Sequence, residues 1–296
     1  MTPSVTATEI DLPATRGGAS SPTLAFLRGH PTVVLGLALL AGVGLVAVLA
    51  PWLHTVDPVT FSPVSRLKPP SERFWFGSDS FGRDVYSRTL YGGRISLLVG
   101  FGVALASTAV GLVVGLVAGY VRTADSILMR IMDGLMAIPA ILLAIALIAI
   151  TRASVQTVLV AITIPEIPRV VRLVRGIVLT LREQPFIEAA TAIGTPLPTI
   201  LRRHLLPNTL APLVVQATYI CAAAVLVEAA LGFLGAGTPP EIPSWGNIMA
   251  EGRTSFQIGP WTILFPGVFL AATVLAINLV GDGLRDLLDP RVARRL

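Results

Sequence analysis

The sequence predicts an all-α polytopic membrane protein with six transmembrane helices and both ends on the cytoplasmic side, and three observations predict it. Of 296 residues, 53% are hydrophobic and only 13% charged, with a mean hydropathy of +0.77, whereas soluble domains carry roughly 25% charged residues. The apolar residues collect in six runs, 32–52, 95–120, 131–150, 154–174, 209–235 and 261–281, each close to the ~20 residues that cross a bilayer as a helix. Fourteen of the 22 Lys and Arg residues fall in segments that an N-terminus-in chain places inside, which is the bias of the positive-inside rule. Backbone groups in lipid must be bonded within the segment or in a closed barrel, and the ten-residue alternation of a barrel is absent.

Residues 1–28 are rich in Thr, Ser, Pro, Ala and Gly and read as a disordered cytoplasmic tail. The first span, 29–53, contains the apolar run Val33 to Ala50, longer than the ~7–15 residue core of a cleaved export signal. The stretch 54–94 carries Pro58, Pro63, Pro69 and Pro70. It is too long for a tight turn and too charged to insert, so it is an external loop, either a contact surface for an external partner or a solvated cap on the helices. Residues 95–283 form a core of five helices, and 284–296 a short cytoplasmic tail.

Within the core, Gly111, Gly115 and Gly119 recur every fourth residue on one helical face, the pattern by which two membrane helices approach closely. Pro139, Pro165, Pro168, Pro212 and Pro266 interrupt or open spans, which requires neighbours or water to satisfy the freed carbonyls. Ionisable residues inside spans are functional candidates by default, and Asp133 and Glu228 are the two. Asp133 either faces a pathway or pairs with Arg130 one turn away. Glu228, deeper, either faces a pathway, bridges to another subunit, or bonds helix to helix. Gln216 and Asn278 are further polar candidates. In the loop 237–260, Ser244 is placed to cap a short helix running through Trp245 and Asn247.

Several classes are excluded. A pI near 10 suggests nucleic acid only where basic residues gather with aromatics, and here they are scattered between apolar runs. The single Cys221 sets no disulfide or metal spacing, and His30, His54 and His204 form no HExxH arrangement. The only lysine, Lys68, precedes Pro69, so no Walker A loop exists and nucleotide energy must come from another polypeptide. The chain is not read as an enzyme, and it carries no cofactor or metal of its own.

The most patterned stretch is cytoplasmic: LREQPFIEAATAIGTPLPTILRRHLLPNTLAP, Leu181 to Pro212. Pro185 suits a first helical turn and Gly194 a left-handed stop. Thr195 is then expected as the N-cap of a second helix, with Pro196 at its first position and its end near Pro207. Leu197, Ile200, Leu201 and Leu205 give that helix an apolar stripe, with Arg202 and Arg203 on the other side.

Here the residues resemble a known family. Glu188-Ala189-Ala190, Gly194, and Leu205-Leu206-Pro207 followed by Asn208 are similar to the EAA loop of permeases of ATP-binding cassette (ABC) importers. Phe76 to Leu97, Met129 to Leu147, Glu228 to Arg253 and Asn278 to Pro290 extend the likeness to the C-type permease of dipeptide and oligopeptide importers, over roughly residues 25 to 290. The resemblance implies a type I ABC importer fold in the cytoplasmic membrane. It implies a peptide pathway shared with a sister permease, two ATP-binding cassette subunits that hold ATP and Mg, and an extracytoplasmic peptide-binding protein. It also implies ATPase coupling through Glu188, Ala189, Ala190, Gly194, Leu205, Leu206 and Pro207. Nickel and glutathione importers have similar subunits; an ion-coupled secondary transporter and a membrane scaffold are the rival classes. One departure stands out: Ile164-Pro165-Glu166-Ile167-Pro168 replaces a Trp-Pro-aromatic pattern and puts the local geometry of the fourth span in question.

Overall fold

The computed structural model describes residues 31–288, so the expected tail 1–28 and the end of the tail 284–296 lie outside the described residues. The described chain is helical: α1 (Pro31–Leu49), α2 (Val85–Tyr120), α3 (Arg122–Met136), α4 (Ala140–Ile150), α5 (Val155–Leu181), α6 (Pro185–Ala192), α7 (Leu197–Ile200), a π turn (Leu201–Leu205), α8 (Leu206–Phe233), α9 (Trp245–Gly252) and α10 (Trp261–Leu288). An isolated bridge between Ser78 and Asp84 is the only β-pairing among the described residues.

Four helical stretches are long and apolar enough to cross a membrane: Pro31–Trp52, Val85–Tyr120, Leu197–Phe233 and Trp261–Leu288. The run 131–150, expected as one span, is instead two helices, α3 and α4, bent by 87°. Pro139 causes the break: it has no N–H to continue the ladder and pushes the residue before it out of the helical region. The two halves also differ, since α3 is amphipathic and charged while α4 is AILLAIALIAI.

α2 begins at Val85 rather than at 95, because Asp84 caps it by accepting from the Ser87 amide at 2.8 Å. The last part of the expected external loop is therefore helix. The remaining loop packs down on the helix ends. Phe76 stacks on Phe265 with centroids 4.0 Å apart, and the Trp261 indole donates to the Ser78 carbonyl at 3.0 Å.

α5 stays helical through both Pro165 and Pro168, so the Pro-Glu-Ile-Pro departure does not break the helix. Glu166, buried, accepts from the Arg169 guanidinium at 2.8 Å. What holds α5 in place is its contact with α2. A Cβ added at Gly111, Gly115 or Gly119 would lie 2.4, 2.6 and 2.6 Å from Cβ of Val170, Val174 and Val178 respectively. The three glycines are the notches and the three fully buried valines the ridge, and dispersion across such a seam holds helices together where lipid offers no hydrophobic drive.

At the other end of α2, Gly93 makes room for Trp245, whose fully buried indole donates to the Thr89 carbonyl at 3.0 Å. The expected cap is present: Ser244 and Asn247 form a reciprocal capping box that starts α9.

Gly115→Leu is expected to drive a side chain into Val174, costing about 1–3 kcal/mol by overpacking and lowering the unfolding temperature in detergent. Adding Val174→Ala should recover part of the loss. An unchanged midpoint for Gly115→Leu would rule out the seam as a packing determinant.

Candidate functional site

The stretch 181–212 folds as a bent lever between α5 and α8. α5 ends at Leu181, the Gln184 amide closes the last turn on the Leu181 carbonyl at 3.0 Å, and Pro185 opens α6. Ile187 and Ala190 point inward and are buried in the core, while Phe186, Glu188, Ala189 and Ile193 are exposed. This short helix thus has an anchored face and a presented face.

Gly194 has the expected left-handed backbone, with φ of +79°. Its amide bonds to the Thr191 carbonyl and that of Thr195 to Ala190, both at 3.0 Å, a Schellman-type ending. A Cβ built on Gly194 meets nothing within 4 Å, so glycine is required there by backbone conformation and not by space.

The second helix differs from expectation at both ends. Pro196, not Thr195, is the N-cap, and helix begins at Leu197. Nor does it stop near Pro207: α7 runs through the π turn directly into α8. Pro207 lacks the N–H that an α register needs and its ring would crowd the preceding turn. The π turn, closed by the Leu206 amide on the Leu201 carbonyl, absorbs that conflict with one extra residue. Asn208 Nδ2 then donates to the His204 carbonyl at 2.7 Å. Ile200 and Leu205 are buried, Leu206 is half-buried and Pro207 exposed.

The remaining sequence candidates do not converge. Asp133 pairs with Arg172 of α5 at 2.6 Å, not with Arg130, and both side chains are largely exposed. The bend at Pro139 brings α3 alongside α5, so the cross-helix partner is in reach. Glu228 is fully buried; its Oε2 accepts from the Ser96 hydroxyl of α2 at 2.9 Å, and Oε1 has no hydrogen-bond partner. Gln216 lines a cleft of about 490 Å³ with Tyr219, Pro212, Leu173 and Arg285. Asn278 is half-buried elsewhere on α10.

Sequence reasoning missed a largely buried charge network at the N-terminal end of α2. Arg83 donates to Asp79 at 2.7 Å, Arg88 donates to the same carboxylate oxygen at 2.7 Å, and both guanidiniums also bind Glu251 of α9. Arg88 is 1% exposed. The i,i+4 spacing of Asp79 and Arg83 was the available signal; Glu251 lies far along the chain and gave none. A second pair, Arg175 to Asp125 at 2.5 and 2.7 Å, ties α5 to α3. Among the described residues, no group of three or more His, Cys, Asp or Glu could hold a metal.

Arg88→Ala should leave the buried Asp79 and the half-buried Glu251 carboxylates sharing one guanidinium, a loss of up to about 3–5 kcal/mol readable as a lower unfolding temperature. Asp79→Asn with Arg88→Met should be milder than Arg88→Ala alone. If both variants unfold at the parent temperature, the network carries no stability.

A profile of the family described as "binding-protein-dependent transport system inner membrane component" matches residues 111–294. A probable peptide ABC transporter permease of Sinorhizobium fredii is 52% identical over 90% of this chain and 92% of its own length. A dipeptide transport system permease of Alkalihalophilus pseudofirmus is 44% identical over 90% and 88%, and a glutathione transport system permease of Pectobacterium atrosepticum 42% over 90% and 89%. Among solved structures, a chain of the methionine ABC transporter MetNI in an inward-facing conformation aligns with a TM-score of 0.55 and 26% identity, covering 68% of this chain and 96% of that one. The anchored helix α6, its left-handed Gly194 and the apolar helices around them therefore belong to a multi-pass membrane protein: this chain is a member of the family of binding-protein-dependent transport system inner membrane components, a transport subunit of the ABC permease class.

Proposed function

We propose that the chain forms, with a sister permease, the pathway by which an ABC importer carries peptides across the cytoplasmic membrane. The observation that carries this reading is the coupling element: α6 exposes Glu188 and Ala189, is anchored through Ile187 and Ala190, and ends on Gly194 at φ +79°. A short rigid helix of that kind docks into a groove on a partner protein. In this reading two ATP-binding cassette subunits hold ATP and Mg, and an extracytoplasmic protein delivers the cargo. The peptide cargo is supported by the names of relatives at 52% and 44% identity; the glutathione permease at 42% supports the alternative of a glutathione-like tripeptide.

The proposed topology keeps six spans with both ends inside, counting the α3–α4 pair as one bent crossing and α5 as another. The domain plan follows: tail 1–28, first span 29–53, external loop 54–94, importer core 95–283 with coupling loop 183–208, and tail 284–296. Glu188, Ala189, Ala190, Gly194, Leu205, Leu206 and Pro207 are the coupling residues. Asp133, Gln216, Glu228 and Asn278 remain the intramembrane polar candidates, of which Gln216, in the cleft beside Tyr219 and Arg285, is best placed to meet cargo.

The mechanism is mechanical. When the ATPase pair closes on ATP, α6 is displaced as a body. Because α6 joins α5 through a single hydrogen-bonded turn, and α7 joins α8 without a break, the displacement passes to both helices. An inward-open pathway is thereby turned outward by rigid-body motion.

Co-purification should recover a second permease and two ATPases with this chain, and uptake of a labelled dipeptide into proteoliposomes should require ATP; uptake by this chain alone on an ion gradient would refute the reading. Replacing Gly194 by Asn, Ala and Val should impose a rising local cost, about 1–2 kcal/mol for an ordinary residue in the left-handed region. Over that series uptake should fall while ATP hydrolysis continues. Tight coupling in Gly194→Val would show that the turn does not transmit the stroke.

A further inference from the structure

Along α5, the stripe that packs on α2 and the stripe left open differ in kind. Glu166, Val170, Val174 and Val178, each one turn from the next, are all buried, so Glu166 extends the ridge that enters the glycine seam. Arg169, Arg172, Gly176 and Thr180, at helical spacing on another side, are all exposed. Lipid is met by apolar side chains, and a crossing helix that carries arginine at mid-depth turns it to protein or to a water-filled space.

Depth matters because an arginine near the inner end of a span can snorkel to the membrane surface. Arg169 does the reverse. Its Nη1 donates to Glu166 Oε2 at 2.8 Å, one turn back toward Val155, the external end of α5 in the proposed topology. Glu166 lies about 16 Å along the axis from Val155 and about 22 Å from Leu181, at a rise of about 1.5 Å per residue, well inside a hydrocarbon layer ~30 Å thick. The Glu166 side chain is 8% exposed and that of Arg169 55%. The buried acid thus fixes the guanidinium at the depth of the membrane interior and leaves most of its N–H donors unspent. Arg172, by contrast, is engaged by Asp133.

The open stripe borders a space of the right size. Leu173, one turn beyond Arg169, lines the cleft of about 490 Å³ shared with Gln216, Tyr219 and Arg285, and a Cβ added at Gly176 meets nothing within 4 Å. We propose that Arg169 binds the terminal carboxylate of a peptide within the membrane pathway, with Glu166 as its positioning residue. The proposal rests on the peptide-import reading and deepens it: guanidinium matches carboxylate in charge and in paired hydrogen-bond geometry.

The test uses the whole transporter complex in lipid nanodiscs, without binding protein or nucleotide, so that the binding protein's own preference plays no part. Leu173→Cys places a thiol in the cleft, its reaction with a membrane-impermeant methanethiosulfonate is timed, and the modified position is located by peptide mass mapping. The thiol should react. Ala-Ala should slow the reaction, and Ala-Ala-amide, which lacks the carboxylate, should not. Adding Arg169→Gln should raise the protecting concentration of Ala-Ala about tenfold or more, the scale of a lost charged hydrogen bond, while Arg169→Lys keeps part of the protection. Glu166→Gln, which leaves Arg169 in place without its anchor, should narrow the difference between Ala-Ala and its amide several-fold, a ratio that a purely structural role would not move; it also carries the comparison if Arg169→Gln fails to assemble. An unreactive thiol, which means that lipid or the sister permease covers this face, overturns the proposal. So does equal protection by the two peptides, protection by neither, or undiminished protection in Arg169→Gln. ATP-driven uptake of Ala-Ala by the parent complex is measured separately, so failure of the import reading and failure of this site are distinct results.

Discussion

The structure hangs on the seam in which Gly111, Gly115 and Gly119 of α2 receive Val170, Val174 and Val178 of α5. Without Cβ atoms the two backbones approach until valine methyls lie on peptide planes, which multiplies weak dispersion contacts over three turns. The register fixed there propagates. At the C-terminal end of α2 it sets Arg182 against the Gly119 carbonyl and Arg175 against Asp125, so the point from which α6 departs is held by both packing and charge. A slip by one residue would put methyls against methyls and uncouple the ends.

At its N-terminal end α2 solves a different problem. Asp79, Arg83 and Arg88 are nearly removed from water, where an unpaired ion costs several kcal/mol. Two acids and two guanidiniums cancel in charge and share hydrogen bonds, so the set is tolerable only as a whole. That interdependence ties Asp79 and Arg83 of the loop between α1 and α2 to Glu251 of α9. Glu228 is a less complete case, with one oxygen bonded to Ser96 and the other without a partner. Its site joins α2 to α8 at the cost of that unmet oxygen.

The long apolar helices, the glycine seam, the Ser244 capping box and the left-handed Gly194 were all legible in the sequence, because each depends on local chemistry that spacing or residue type exposes. The failures share a cause as well. Hydropathy saw 131–150 as one run, since window averages register apolarity and not the direction change that Pro139 imposes. For Asp133 the sequence offers only Arg130 as a local partner, because sequence distance cannot see α5, which brings Arg172 to 2.6 Å. The Asp79, Arg83, Arg88 and Glu251 network shows in the sequence only as the i,i+4 spacing of Asp79 and Arg83, because the contact with Glu251 joins residues far apart in the chain.

Pro207 is the most instructive of these cases. A proline after an apolar stripe reads as a stop, because a helix interior cannot supply its missing donor. The chain instead inserts a π turn at Leu201–Leu205 and continues into α8. A true stop at Pro207 would have separated α7 from α8 by a loop. The π turn keeps the backbone continuous while widening one turn, and Leu205, fully buried, pins that turn to the core. The proline thus marks a local change of helical register rather than an end, and π turns tend to occur at working sites. The helical backbone is thereby continuous from Leu197 to the end of α8.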